Sequence, residues 1–83
     1  MKRRRPCPKV IVRPLPGNTA GLACKVDNTI EIDPDIKKEK DVLETYAHEA
    51  LHLADWKLTE RKVKYRANYI AEVLWKAGYR KKP

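Results

Sequence analysis

Pro34 divides the chain into two parts whose apolar residues recur with different periods. Before it, short runs rich in β-branched residues are separated by proline, glycine and asparagine, a pattern typical of strands joined by turns. After it, apolar residues recur at intervals of three and four, which is typical of amphipathic helices. The order of strands followed by helices predicts an α+β fold.

The part before Pro34 predicts a small antiparallel sheet of two to three strands. Residues 9–15, KVIVRPL, include Pro14 and are followed by Pro16. Proline in or next to a strand indicates that the strand lies at an edge of the sheet. Residues 22–33 predict a β-hairpin whose turn is the pair Asp27–Asn28, a sequence suited to positive φ. Ile30 and Ile32 alternate with polar residues, so we expect them to share the core face.

Two helices are expected after Pro34. The first extends from about residue 35 or 38 to Leu58, and the second begins after Thr59, a plausible N-cap, and ends at Gly78. Apolar residues cover a broad arc of the first helix: Val42, Leu43, Tyr46, Ala47, Ala50, Leu51, Leu53, Ala54 and Leu58. The core stripe of the second helix is expected to be Val63, Ala67, Ile70 and Leu74. The second helix should therefore pack beside the first.

A chain of 83 residues is expected to form one domain, here residues 10–78. Residues 1–9 predict a basic disordered arm and residues 79–83 a basic tail. So small a domain buries a limited core, and it is expected to need stabilisation by a metal, a disulfide or a partner.

The net charge of +8 is concentrated at the two ends of the chain. Nine of the 19 basic residues lie in residues 2–9 and 76–82, and all 11 acidic residues lie between these ends. The charge distribution therefore predicts weak, non-specific contact of the tails with nucleic acid, or solvated ends that keep the chain soluble.

The sequence has no apolar run near the ~18 residues that cross a bilayer, and no apolar segment follows its basic N-terminus. We expect a cytoplasmic protein without membrane contact. In that compartment the two cysteines, Cys7 and Cys24, should be free thiols; a disulfide or thiolate ligation of a metal is the alternative.

Both histidines of the chain lie in one motif, His48-Glu49-Ala50-Leu51-His52. Four residues apart on a helix, the two imidazoles share one face and can converge on one Zn²⁺ per chain. Glu49 then lies beside the zinc-bound water and can accept its proton as general base. The alternative is a pair of ordinary surface histidines.

This motif resembles the helix of the zincin metallopeptidases, and at this length the chain looks like a minimal member. It is similar to a minigluzincin or a SprT-like core, of the kind seen in small phage and microbial proteins, over roughly residues 28–77. The resemblance implies that His48 and His52 are zinc ligands and Glu49 is the general base. It also implies that the strand NTIEID is an edge strand that binds an extended peptide substrate through Thr29, Ile30, Glu31 and Ile32.

A third zinc ligand is required, and three acidic residues are candidates. Glu60 is preferred, because its helical phase points inward from the first turn of the second helix. Glu72 lies 20 residues after His52, the spacing of thermolysin-like gluzincins, but it falls on the polar face of that helix. Asp55 shares the histidine face and could either bind the metal or orient His52.

Two functions remain open at this point. The first is a zinc-dependent metallopeptidase that hydrolyses an extended peptide or protein. The second is a non-catalytic binding module stabilised by zinc, whose basic tails contact nucleic acid or an acidic protein.

Overall fold

The computed structural model describes residues 7–80 and has the α+β fold expected from the sequence. Its elements, in chain order, are β1 (Lys9–Val12), β2 (Gly21–Cys24), β3 (Thr29–Ile32), α1 (Glu39–Ala54) and α2 (Glu60–Lys76). Neither helix in this part of the chain is long and apolar enough to span a membrane.

The three strands form one mixed sheet in the order β1-β3-β2. β2 and β3 pair antiparallel, with Leu22 opposite Glu31, as the predicted hairpin requires. β1 pairs parallel to β3, with Val10 opposite Ile30, so the prediction of a wholly antiparallel sheet is wrong. The difference comes from the strand order. The prediction placed β3 at an edge of the sheet, whereas β3 lies between β1 and β2.

The central position of β3 also contradicts its predicted role as a substrate-binding edge strand. Both sides of β3 are paired, so the backbone of Thr29, Ile30, Glu31 and Ile32 has no free edge to offer a peptide. The strands at the two edges of the sheet are β1, as predicted, and β2.

The connections around β3 depend on a few polar groups. The hairpin turn comprises residues 25–28, and Asn28 has the positive φ of 54° that its sequence led us to expect. The Asp33 carboxylate accepts hydrogen bonds from the backbone N–H groups of Leu15 and Asp35, each at 2.8 Å. These bonds lower the pKa of Asp33, the Leu15 bond most strongly, and they fasten the loop before β2 to the end of β3.

The core lies where α1 packs against β2, β3 and α2. Ile30 and Ile32 of β3 are buried against Leu53 of α1, as their spacing predicted. On α2 the buried stripe is Val63, Ala67 and Ala71. Ile70, predicted for this stripe, is exposed.

The buried face of α1 differs from its predicted apolar arc. Ala50 and Ala54, both included in that arc, are exposed, whereas Thr45 and Glu49 are buried together with Leu53. The sheet covers these two polar residues because the β2 backbone approaches α1 beside them. A hydrophobic pattern counts only the polarity of each residue, so it does not register this approach.

The predicted ends of the domain fall partly outside the described residues. Residues 1–6 of the predicted arm and residues 81–83 of the predicted tail are not described, and Lys9 is the first residue of β1. At the other end, Arg80 lies over the Trp75 ring, 3.2 Å from its centroid, and donates a hydrogen bond to the Trp75 carbonyl.

Both ends of α2 follow the signals in the sequence. The Thr59 side chain accepts a hydrogen bond from the Lys62 backbone N–H at 3.2 Å, which is an N-cap. The helix ends at Lys76, and Gly78 has a φ of +94°, the left-handed conformation that commonly follows a helix.

We predict that Thr59→Ala lowers the free energy of unfolding by about 1 kcal/mol, because the first turn of α2 loses its cap. In a domain of this size the melting temperature should fall by about 4–8 °C. Thr59→Ser keeps the accepting oxygen and is the matched control. Thermal unfolding followed by circular dichroism measures both variants, and an alanine variant as stable as the serine variant would contradict the cap.

Candidate metal centre

His48 and His52 lie one turn apart on α1, with their ring centroids 4.9 Å apart. Their Nε2 atoms approach the two oxygens of a single carboxylate, that of Glu60. His48 Nε2 is 2.8 Å from Glu60 Oε2, and His52 Nε2 is 2.9 Å from Glu60 Oε1. The two imidazoles therefore converge on one point, as the spacing of the motif predicted.

Glu60 reaches this point because the link between the helices is short. Residues 55–59 reverse the chain, and Glu60 is the first residue of α2. A helix N-terminus carries partial positive charge, so an acidic side chain is favourable at this position. The side chain of Glu60 is 69% exposed, so the centre opens toward solvent.

Ligand atoms of His48, His52 and Glu60 all lie within 4.8 Å of one another, so these residues could hold a metal ion. Two imidazoles and one carboxylate are a ligand set of catalytic zinc sites, which keep a fourth position for water. Tetrahedral ligands about 2.0–2.1 Å from zinc are about 3.3 Å apart, within the range of separations seen here. The residues present therefore fit a zinc ion, and the same donors also suit other divalent transition metals.

The other two candidate ligands lie outside this group. The Asp55 carboxylate accepts a hydrogen bond from the Lys57 backbone N–H at 3.2 Å, within the turn that follows α1. Glu72 pairs with Lys40, in the first turn of α1, and lies 3.8 Å from Lys76. Glu72 therefore lies at the end of the helix pair remote from His52.

Glu49 lies beside the histidines but faces the sheet, and it is only 9% exposed. Burial raises the pKa of its carboxyl group, and the nearby Glu60 carboxylate acts in the same direction. Charge on His48 and His52 opposes this rise, as would a metal cation held by them. A carboxylate with a raised pKa is a better proton acceptor near neutral pH, which suits the predicted general base.

Gly21, at the start of β2, is a site residue that sequence reasoning missed. A Cβ atom built there would lie 2.8 Å from Thr45 Cγ2 and 3.0 Å from Glu49 Cγ, too close for either. Glycine in a strand often marks such an approach of backbone to a neighbour, and this signal was available in the sequence. Only glycine lets the β2 edge come this near to Glu49.

A cleft of about 340 Å³ lies between β2 and α1 at this point. Its walls are the backbone leading into β2, at Thr19, Ala20 and Gly21, and the side chains of Glu44, Thr45, His48 and Glu49. The cleft therefore connects an edge strand of the sheet to one histidine of the metal group and to the predicted general base.

Neither a protein-family model, nor a curated protein, nor a solved structure matches this chain. The resemblance to zincins thus depends on the motif and remains a prediction.

We predict that Glu60→Gln weakens zinc binding by more than about 10-fold, because an amide replaces a carboxylate within the group of three ligand atoms. Glu72→Gln makes the same chemical change at the remote end of α2 and should leave zinc affinity within about 2-fold. Competition with a chromogenic chelator measures both variants. A larger loss for Glu72→Gln than for Glu60→Gln would contradict this assignment of the third ligand.

Proposed function

We propose that the protein is a zinc-dependent peptidase whose centre is formed by His48, His52, Glu60 and Glu49. The observation that carries this proposal is the convergence of both imidazoles on Glu60, with Glu49 buried beside them against an edge strand. A metal-binding triad alone would serve stability. The adjacent buried carboxylate adds the group that hydrolysis requires.

Each side chain has a distinct role in this proposal. His48, His52 and Glu60 hold the metal, and zinc, when bound, supplies an acidic water and polarises the scissile carbonyl. Glu49 accepts the proton of the attacking water and later delivers it to the leaving amine. The cover of Glu49 by Gly21 and Thr45 holds its carboxylate on the side of α1 that lines the cleft.

The substrate-binding edge in this proposal is β2, in place of the β3 strand expected from the sequence. β2 is paired on one side only within the described sheet, and the backbone leading into it borders the cleft. An extended peptide can add to such an edge through main-chain hydrogen bonds, which are independent of side-chain sequence. A peptide so placed runs past Glu49 and His48.

A zinc-stabilised binding module without turnover is the second candidate. The small core favours this second function. Few large side chains are buried, and among the described residues Val63 is the only large one that is almost fully buried. A metal that joins α1 to α2 would add folding free energy in such a domain. The burial of Glu49 has no purpose in this second function, since a buried carboxylate disfavours folding.

Glu49→Gln separates the two functions. We predict that the full chain binds one zinc and cleaves a fluorescence-quenched peptide library or an unfolded protein. The variant should retain one zinc per chain and lose about 10²–10⁴-fold in cleavage rate, because it cannot accept the proton. Metal content is measured by mass spectrometry on protein purified without a histidine tag.

Glu39→Gln is the matched control, since Glu39 is an exposed acid of the same helix and lies outside the ligand group. Its cleavage rate should equal that of the wild type. Zinc binding without cleavage in the wild type would favour the binding module, and cleavage that survives Glu49→Gln would contradict the proposed mechanism.

A further inference from the structure

The outer face of α2 carries exposed tyrosines among basic residues. Tyr65 is 73% exposed and Tyr69 is 67% exposed. They are four residues apart in α2 and therefore lie about one helical turn, or about 6 Å, apart along the axis. Large aromatic side chains of this kind are usually buried at least in part, so two adjacent exposed ones indicate a surface that binds something.

Among the described residues, the cations next to these tyrosines have no acidic partner. Arg61, Lys62 and Arg66 are exposed, and the ion pairs formed within residues 7–80 include none of them. The two acids of α2 are otherwise engaged: Glu60 with the histidines and Glu72 with lysines. This face is therefore a concentration of uncompensated positive charge on a folded element, separate from the basic ends of the chain.

Two adjoining hollows make this face concave. One, of about 430 Å³, is lined by Leu51, Tyr65, Arg66, Tyr69 and Ile70. The other, of about 610 Å³, is lined by Thr59, Arg61, Lys62, Tyr65 and Arg66. Tyr65 and Arg66 line both hollows, which therefore adjoin along α2 from Thr59 to Ile70, about 16 Å by helix rise, and together are called the groove.

We propose that this groove binds single-stranded nucleic acid, with phosphates on Arg61, Lys62 and Arg66 and bases stacked on Tyr65 and Tyr69. Free cations beside exposed aromatic rings are the combination that single strands require, because every base has a π-face and every nucleotide a phosphate. A duplex keeps its bases stacked inside and offers the tyrosines nothing. A second copy of the chain would bring the same cations together, which is repulsive.

The groove lies on α2 apart from the ligand group, so this proposal does not depend on the peptidase. Binding of the full chain to a fluorescent single-stranded oligothymidylate is measured by anisotropy over a range of salt concentrations. Tyr65→Ala combined with Tyr69→Ala should weaken binding by at least about 10-fold, since each stacked base contributes about 1–3 kcal/mol. The two Tyr→Phe changes keep the rings and should leave the affinity unchanged.

The charge contribution is tested with a triple variant, Arg61→Gln, Lys62→Gln and Arg66→Gln. The slope of log affinity against log salt should fall by about 2, at about 0.7 for each phosphate contact with a single strand. The control with equal charge loss is Lys9→Gln, Lys37→Gln and Lys38→Gln, at exposed residues outside the groove, and it should change the slope by less than half as much.

Three results would overturn the proposal. Alanine variants that bind like the wild type would exclude stacking on the tyrosines. Equal decreases in the salt slope for the triple variant and its control would mean that binding depends only on the net charge of the protein. Polyglutamate that competes as well as unlabelled oligothymidylate would assign the groove to an acidic protein.

Discussion

The Glu60 carboxylate joins the two helices at their common end, where its two oxygens contact one imidazole each. Without a metal, this carboxylate accepts hydrogen bonds from the ring nitrogens. To bind a metal, the same nitrogens must present lone pairs. The ion would then take the place of the Nε2 protons between side chains that the helix pair already brings together.

The sheet borders the same centre, because the cleft between β2 and α1 is lined by both His48 and Glu49. Gly21 allows β2 to approach α1 closely enough to cover Glu49 and Thr45. The resulting burial of a carboxylate lowers the stability of a domain whose core is already small. Acids with perturbed pKa values are common in active sites, which supports the role proposed for Glu49. In the proposed site, a metal held by the three ligands would add folding free energy, whereas the burial of Glu49 opposes folding.

The parts of this centre that depend on local geometry could be predicted from the sequence. The spacing of His48 and His52 determines that they share a helical face, and the short link to α2 favoured Glu60 over Glu72. Strand order depends on long-range pairing, so the sequence offered no sign that β1 would occupy the second side of β3. The resemblance to zincins implied that β3 is an edge strand, whereas β3 is central and β2 is the edge strand that borders the cleft.

The burial of Glu49 shows a second kind of limit. A glutamate and a threonine at positions four apart suggest a solvent-exposed face, and only the approach of Gly21 reverses this. The groove on α2 was hidden for a related reason. Its cations and tyrosines are present in the sequence, but nine of the 19 basic residues lie near the chain ends, so the distribution of charge along the sequence indicates the tails and not α2.

The central claim is that one metal ion is held by His48, His52 and Glu60, and X-ray absorption at the zinc edge of the zinc-loaded protein tests it most directly. The account predicts a four-coordinate zinc with two imidazole nitrogens at about 2.0–2.1 Å, the remaining ligands being oxygen. The imidazole signal should fall by half in a His52→Ala variant. A sulfur shell at about 2.3 Å would contradict the account, because it would place zinc on Cys7 or Cys24.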